Sequence, residues 1–195
     1  MSKAVLISIR PKWVEKIANS EKTIEVRKTR PNLPTPFKAY IYCTLPKYPH
    51  EDFIATDYPM PQFYGGKVIG EFVCDCVTPL YNVCMDDWKR LAGGLHNIEK
   101  ELVNQACLTE AKLHTYAGGK NCFAWHISNL KIYDAPKKLG DFWRDCPEYS
   151  ELSTNCWSCE NVCGDGNETD CNTDGRLYLR RPPQSWCYVE AMKDD

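Results

Sequence analysis

Three ionisable side chains near the N-terminus have the types and spacing of a site that binds anions or reads a base. Lys22, Glu25 and Arg27 lie in the segment KTIEVRK, residues 22–28. A guanidinium group offers planar, bidentate donors that suit a phosphate or a base edge, and a carboxylate accepts hydrogen bonds from amino groups. Lys22 adds a point charge at the start of the segment. The alternative is a surface Glu25–Arg27 ion pair that stiffens a strand and binds nothing.

Charge and aromatic residues near this triplet indicate what it could bind. Residues 1–30 contain eight Lys or Arg against three Glu, although the whole chain of 195 residues has a formal charge of only −2. Cations for phosphate combined with aromatic rings for stacking suit a nucleotide. We therefore expect RNA or a nucleotide as the partner. The expected ligand-binding residues are Arg10, Lys12, Lys22, Glu25 and Arg27.

A strand, a helix and a second strand must position these residues. Residues 4–10 form an apolar run typical of a strand, and Pro11 suits the first position of a helix that continues to about residue 20. Residues 22–28 alternate, which predicts a strand that buries Ile24 and Val26 and presents Glu25 and Arg27 on the opposite surface. On that surface, Arg27 could be replaced with little change in melting temperature.

The rest of the chain predicts a single α+β domain. Further strands are expected at residues 39–44, 67–77, 122–133 and 185–192, and helices near 86–92, 97–106 and 109–116. Residues 45–65 should form an ordered loop, because their aromatic residues argue against disorder. The architecture is a small, mostly antiparallel sheet or barrel decorated by helices.

The segment SEKTIEVRK, residues 20–28, resembles the Gly-x-Lys-x-x-Glu-x-Arg signature of the ASCH domain family, a branch of the PUA-like superfamily. Lys22, Glu25 and Arg27 match the signature, and Ser20 stands where the family has glycine. Residues 123–143 look like the late PUA-like strand, and the resemblance covers roughly residues 1–145 and 182–195. It implies a PUA-like β-barrel that binds its ligand at the barrel mouth.

The resemblance also raises the question of catalysis. Some small ASCH proteins are amidohydrolases that act on acylated cytidine with a lysine, a threonine and a glutamate. The lysine corresponds to Lys22, but Glu25 occupies the threonine position and the glutamate falls near Asn104. We therefore favour a binding protein. A nucleoside or RNA hydrolase, either an amidohydrolase or a ribonuclease, that uses the same pocket is the alternative.

Composition bears on location and on a third class of function. No run approaches the roughly 18 apolar residues of a membrane helix, and the N-terminus lacks a basic region followed by an apolar one. We expect a cytoplasmic protein that does not bind membranes.

Residues 141–170 hold one Arg against eight acidic residues. This segment could bind a basic protein partner, which would make the chain a protein-interaction module.

Four closely spaced cysteines indicate a metal site in a Cys-rich insertion at residues 146–171. Twelve cysteines in this chain are too few for a disulfide scaffold, and in a reducing compartment most should be thiols or metal ligands. Four thiolates satisfy tetrahedral zinc and leave no open position for catalysis. Alternatives are an iron–sulfur site, disulfides formed after isolation, or a disordered loop, and Cys146 is a possible substitute ligand. The expected zinc ligands are Cys156, Cys159, Cys163 and Cys171.

The composition of the insertion predicts one structural zinc ion per chain. The insertion has little apolar surface, so coordination rather than hydrophobic burial would fix its structure. Elemental analysis of protein purified under reducing conditions should find about one zinc per chain, as expected for a single four-thiolate site. Less than about 0.2 zinc per chain, with no iron, would contradict the assignment and leave ordinary thiols.

Overall fold

A computed structural model describes residues 2–45, 53–54, 62–80, 97–146 and 176–192. The helices are α1 (Pro11–Ala18), α2 (Asn97–Gln105) and α3 (Glu110–Ala117), with a 3-10 turn at Leu139–Asp141. The strands are β1 (Lys3–Ile9), β2 (Ile24–Arg27), β3 (Phe37–Cys43), β4 (Phe53–Ile54), β5 (Gln62–Phe63), β6 (Lys67–Cys74), β7 (Val77–Leu80), β8 (Cys122–His126), β9 (Ser128–Lys138), β10 (Trp143–Asp145), β11 (Arg176–Tyr178) and β12 (Trp186–Glu190).

The strands form two principal sheets. The first has the order β12-β1-β3-β6-β9, and the second has the order β2-β8-β7. In the first sheet β1 runs parallel to β3, and the other pairings of both sheets are antiparallel. Two short antiparallel pairs, β4–β5 and β10–β11, complete the described strands. The predicted α+β class with mostly antiparallel strands is confirmed.

Strand β1, inside the first sheet, is buried on both faces, which explains the continuous apolar run that begins the chain. On one face, Val5 and Ile7 of β1 pack with Val14 and Ile17 of α1. On the other face, Leu6 belongs to a separate cluster that includes residues of β3 and β12. A strand covered on both sides needs apolar residues at every position, so its sequence does not alternate.

The second sheet packs on α2 and α3. Ile24 and Val26 of β2 lie in this core together with Leu102 and Val103 of α2 and Leu113 of α3. The prediction that Ile24 and Val26 are buried is confirmed. Helices near residues 97–106 and 109–116 are also confirmed, whereas the expected helix at 86–92 and most of the expected loop at 45–65 lie outside the described residues.

Two long strand predictions were wrong in the same way, because each segment divides between the sheets. Residues 122–133 form the whole of β8 and the beginning of β9, which separate at Ile127. The backbone N–H of Ile127 donates to the carbonyl of Thr23 at 2.9 Å. Residues 67–77 likewise divide at Asp75 and Cys76 between β6 and β7. Apolar residues flank both divisions, so each segment has the composition of one long strand, although Asp75 and Cys76 are exposed where β6 ends.

No helix in the described part of the chain is both long and apolar enough to cross a membrane.

Helix α1 ends in a tight turn that sets the entry into β2. The N–H of Ser20 donates to the carbonyl of Ile17 at 2.9 Å, and the N–H of Glu21 donates to the carbonyl of Lys16 at 2.8 Å. This pair of bonds defines a Schellman motif, whose residue after the cap adopts the left-handed conformation that glycine favours. Ser20 is that residue and has a φ of 59°. Its correspondence to the glycine of the ASCH signature therefore has a physical basis.

We predict that Ser20→Gly stabilises the protein. Glycine removes the steric cost of the left-handed conformation, and this gain outweighs its larger loss of chain entropy. Urea denaturation should show the free energy of unfolding rise by about 0.5–1 kcal/mol. Gly118→Ala is the matched control, because Gly118 ends α3 with a φ of 57°, and it should lower stability by a similar amount. A destabilising Ser20→Gly would contradict this explanation of the turn.

Candidate functional site

The five residues expected to bind ligand line one cleft of about 760 Å³. Arg10 and Lys12 come from the start of α1, and Lys22, Glu25 and Arg27 come from β2 and the residues just before it. Further walls are formed by α3, by the end of β1 and by residues 184–185 ahead of β12. The structure therefore brings together expected site residues that are up to 17 positions apart in the sequence. It also brings together elements from near both ends of the chain.

The triplet is buried, which corrects the expectation that Glu25 and Arg27 lie on an open surface. Glu25 is only 6% exposed and Lys22 3% exposed. The face of β2 that carries Glu25 and Arg27 is directed towards the first sheet, because the guanidinium of Arg27 donates to the carbonyl of Ser8 in β1 at 2.6 Å. Alternation correctly separates the two faces of β2, but it does not show that a second sheet covers the polar one. Loss of Arg27 should therefore lower the melting temperature.

A carboxylate between two cations is the centre of the site. Oε2 of Glu25 lies 3.3 Å from Nζ of Lys22, and Oε1 lies 3.2 Å from Nη2 of Arg27. The ammonium of Lys22 also donates to the carbonyl of Ala106 at 2.8 Å. Lys22 precedes β2, so the alternation of the strand does not apply to it, and its side chain reaches the same side as Glu25. Two cations with one anion leave the buried triplet with a net positive charge.

Two polar atoms of the triplet are buried without a hydrogen bond, although one of them, Oε2 of Glu25, forms the ion pair with Lys22. Oε2 of Glu25 and Nε of Arg27 have no hydrogen-bond partner among the described residues. A buried polar atom without a partner costs about 1–3 kcal/mol, so such atoms in a native structure need an explanation. Both side chains line the cleft. A ligand that supplies an N–H to the carboxylate and an acceptor to the guanidinium would remove this cost.

The outer part of the cleft is strongly cationic. Arg10 and Lys12 are exposed at its rim, as are two residues that the sequence alone did not single out, Lys28 and Lys112. With Lys22 and Arg27 they make six cationic side chains, and Glu25 is the one carboxylate among the lining residues. Lys28 directly follows Arg27, the last residue of the signature. Lys112 could have been found only with knowledge of where α3 packs.

Two aromatic side chains contribute to the walls. Nζ of Lys12 lies 4.8 Å, and that of Lys22 5.3 Å, from the ring centroid of Trp13. Tyr116, also missed from the sequence, lies one helical turn after Lys112 and so shares its face of α3. Partial burial raises the pKa of Tyr116, opposed by the positive charge and hydrogen bond of Arg27. Tyr116 is therefore a neutral phenol at physiological pH and adds no negative charge to the cleft.

Of the positions that the amidohydrolase resemblance indicates, Lys22 and Glu25 line the cleft and Asn104 does not. Glu25 occupies the threonine position of that resemblance and is engaged with two cations. Asn104, near which the glutamate was expected, is exposed on α2 and is not among the lining residues of the cleft. The hydroxyl of Ser8, which does line the cleft, donates to the carbonyl of Pro183 at 2.7 Å.

The expected zinc ligands Cys156, Cys159, Cys163 and Cys171 lie outside the described residues. Within residues 2–45, 53–54, 62–80, 97–146 and 176–192, no group of three or more His, Cys, Asp or Glu side chains could hold a metal ion. Cys146, the possible substitute ligand, is a buried free thiol. The zinc assignment stays a prediction.

Comparison with known proteins adds structural relatives. No protein-family model and no curated protein matches the sequence. The fold is similar to a crystal structure of ASCH from Zymomonas mobilis, with 19% identity over 70% of this chain and 73% of that chain and a TM-score of 0.46. Two mutants of the same protein match with 19% and 21% identity, over 71% and 70% of this chain and 77% and 74% of theirs, each with a TM-score of 0.43.

We predict that the buried carboxylate stabilises the fold. Replacing Glu25 with alanine leaves the charges of Lys22 and Arg27 buried without compensation, which typically costs about 3–5 kcal/mol. Urea denaturation of Glu25→Ala should show a loss of about 3 kcal/mol. Glu21→Ala is the matched control, because Glu21 forms an exposed ion pair with Lys16, and it should cost less than about 1 kcal/mol. Equal losses in the two variants would contradict the role given to Glu25.

Proposed function

We propose that this chain is a cytoplasmic ASCH-type, PUA-like protein that binds RNA or a modified nucleotide in the cleft around Lys22, Glu25 and Arg27. The observation that carries the proposal is the concentration of six cationic side chains around a single buried carboxylate. The signature resemblance in residues 20–28 supports the family.

The charge distribution favours an anionic ligand. The chain as a whole is slightly acidic, with a formal charge of −2, so the positive cleft is a local feature rather than a consequence of composition. A cleft lined by one sign of charge focuses its field and raises the local concentration of oppositely charged ligands. Exposed Arg10, Lys12, Lys28 and Lys112 can contact phosphates with little loss of their own packing.

The interior of the cleft favours a ligand with a polar ring beside its phosphates. A simple anion such as inorganic phosphate has no use for the acceptor on Glu25 and would be repelled by it. A nucleotide fits both the rim and the interior of the cleft, since its phosphates can face the rim cations and its base can reach the buried polar atoms. Trp13 and Tyr116 supply aromatic surface along the path between the two.

We predict that removal of rim cations weakens RNA binding without unfolding the protein. Lys12→Ala and Lys112→Ala should each lower the affinity for a fluorescent single-stranded oligoribonucleotide about three- to tenfold at about 50 mM salt, as for a lost phosphate contact. Fluorescence anisotropy gives the affinities. Lys131→Ala, which removes an exposed cation of β9 that is not part of the cleft, is the matched control and should bind like the parent protein.

The same titration distinguishes the proposed function from its alternatives. Four phosphate contacts predict a slope of about −3 in a plot of log affinity against log salt concentration. Binding that is absent, or equally weakened by Lys131→Ala, would contradict a nucleic-acid site in this cleft. Chromatography of the RNA after incubation should show it intact. Cleavage that is lost in the cleft variants would instead indicate the hydrolase alternative.

A further inference from the structure

The buried end of the cleft carries hydrogen-bonding groups in a definite order. The carboxylate of Glu25 lies between two cations, with Oε2 3.3 Å from Nζ of Lys22 and Oε1 3.2 Å from Nη2 of Arg27. Ammonium and guanidinium groups only donate, and a carboxylate only accepts. Along this row the order is therefore donor, acceptor, donor.

Each member of the row has capacity left for a ligand. Oε2 of Glu25 and Nε of Arg27 are buried without a hydrogen-bond partner among the described residues. The ammonium of Lys22 carries three N–H groups, of which one donates to the carbonyl of Ala106. All three side chains line the cleft and are at most 11% exposed. Water therefore competes little for these groups, and a ligand must match them to bind.

We infer that this row recognises a ring imide, in which an N–H lies between two carbonyl groups, and that among the common bases the site therefore selects uracil. The inference rests on the proposed function, because it assumes that the cleft binds RNA. The N3–H of uracil would donate to Glu25, and its two carbonyl oxygens would accept from Lys22 and Arg27. Acceptor, donor, acceptor on the base is complementary to donor, acceptor, donor on the protein.

The other bases do not fit the same row. Cytosine and adenine present a ring nitrogen, which is an acceptor, to the carboxylate of Glu25, so two lone pairs would face each other. Guanine presents its N1–H to the carboxylate, but its 2-amino group would then point a donor at one of the flanking cations. In a buried site the cost of such a mismatch is large, because the polar groups left unpaired are also desolvated.

Matched RNA hexamers test the inference on the unmodified protein. Hexauridylate should bind about tenfold more tightly than hexacytidylate or hexaadenylate, since each wrong pairing of this kind costs about one factor of ten or more. Hexameric N3-methyluridylate has the same charge, length and carbonyl groups as hexauridylate but lacks the N–H donor. Its affinity should therefore be about tenfold lower than that of hexauridylate. Competition anisotropy at one salt concentration measures all four ligands.

Glu25→Gln tests whether the acceptor at this position sets the preference. A glutamine amide can donate to the ring nitrogen of cytosine or accept from the N3–H of uracil, so the preference of the variant for hexauridylate over hexacytidylate should be smaller than that of the parent protein. The 4-amino group of cytosine still faces a flanking cation in the variant, so the preference should not reverse. Circular dichroism shows whether the variant is folded, and the N3-methyl comparison on the parent protein does not depend on it.

The outcomes separate the inference from the function on which it rests. Equal affinity of the parent protein for all four hexamers, with binding still weakened by Lys12→Ala, would overturn the uracil preference and leave the RNA site intact. No binding of any hexamer would overturn both. A preference for hexauridylate that N3-methylation does not reduce would also overturn the inference, because the N–H would then not be the group recognised.

Discussion

The arrangement of the molecule depends on burial of one carboxylate between two cations. Glu25 is held by Lys22 and Arg27 at the point where β2 faces the first sheet. Because a buried charge must be compensated, this triplet ties four parts of the chain together. They are the residues just before β2, β2 itself and, through the bonds of Lys22 and Arg27, the backbone at Ala106 and the backbone at Ser8. Apolar residues at these three positions would fill the same space, but the buried end of the cleft would then have no charged groups.

The same triplet also carries a cost to the stability of the folded protein. Two of its buried polar atoms are unsatisfied, which is a cost to the folded state that apolar packing elsewhere must offset. Under the proposed function, the ligand rather than the protein completes these hydrogen bonds. The flanking cores are separate from it. One lies between α1 and the first sheet, and the other lies between the second sheet and the helices α2 and α3.

Local patterns revealed much of this arrangement, and long-range packing explains what they missed. Proline at the start of α1 and the alternation in β2 are local signals, and both elements were predicted close to their observed bounds. The changes of sheet at Ile127 and at Asp75 were missed, because the apolar residues on either side of each point have the composition of a single strand. For the site, residue types identified Lys22, Glu25 and Arg27 as a group. That the group is buried, and that Lys112 and Tyr116 join it, depends on how sheets and helices pack.

The central claim is that RNA enters this cleft, and ultraviolet crosslinking with mass spectrometry of the crosslinked peptides tests it most directly. Trp13 and Tyr116 are the aromatic residues of the cleft walls, so bound RNA lies within reach of both. We expect crosslinks to a short uridine-rich RNA to concentrate on the peptides that contain Trp13 and Tyr116, and we expect Lys12→Ala to reduce their yield. Crosslinks confined to peptides from other surfaces, with none in the cleft, would contradict the claim.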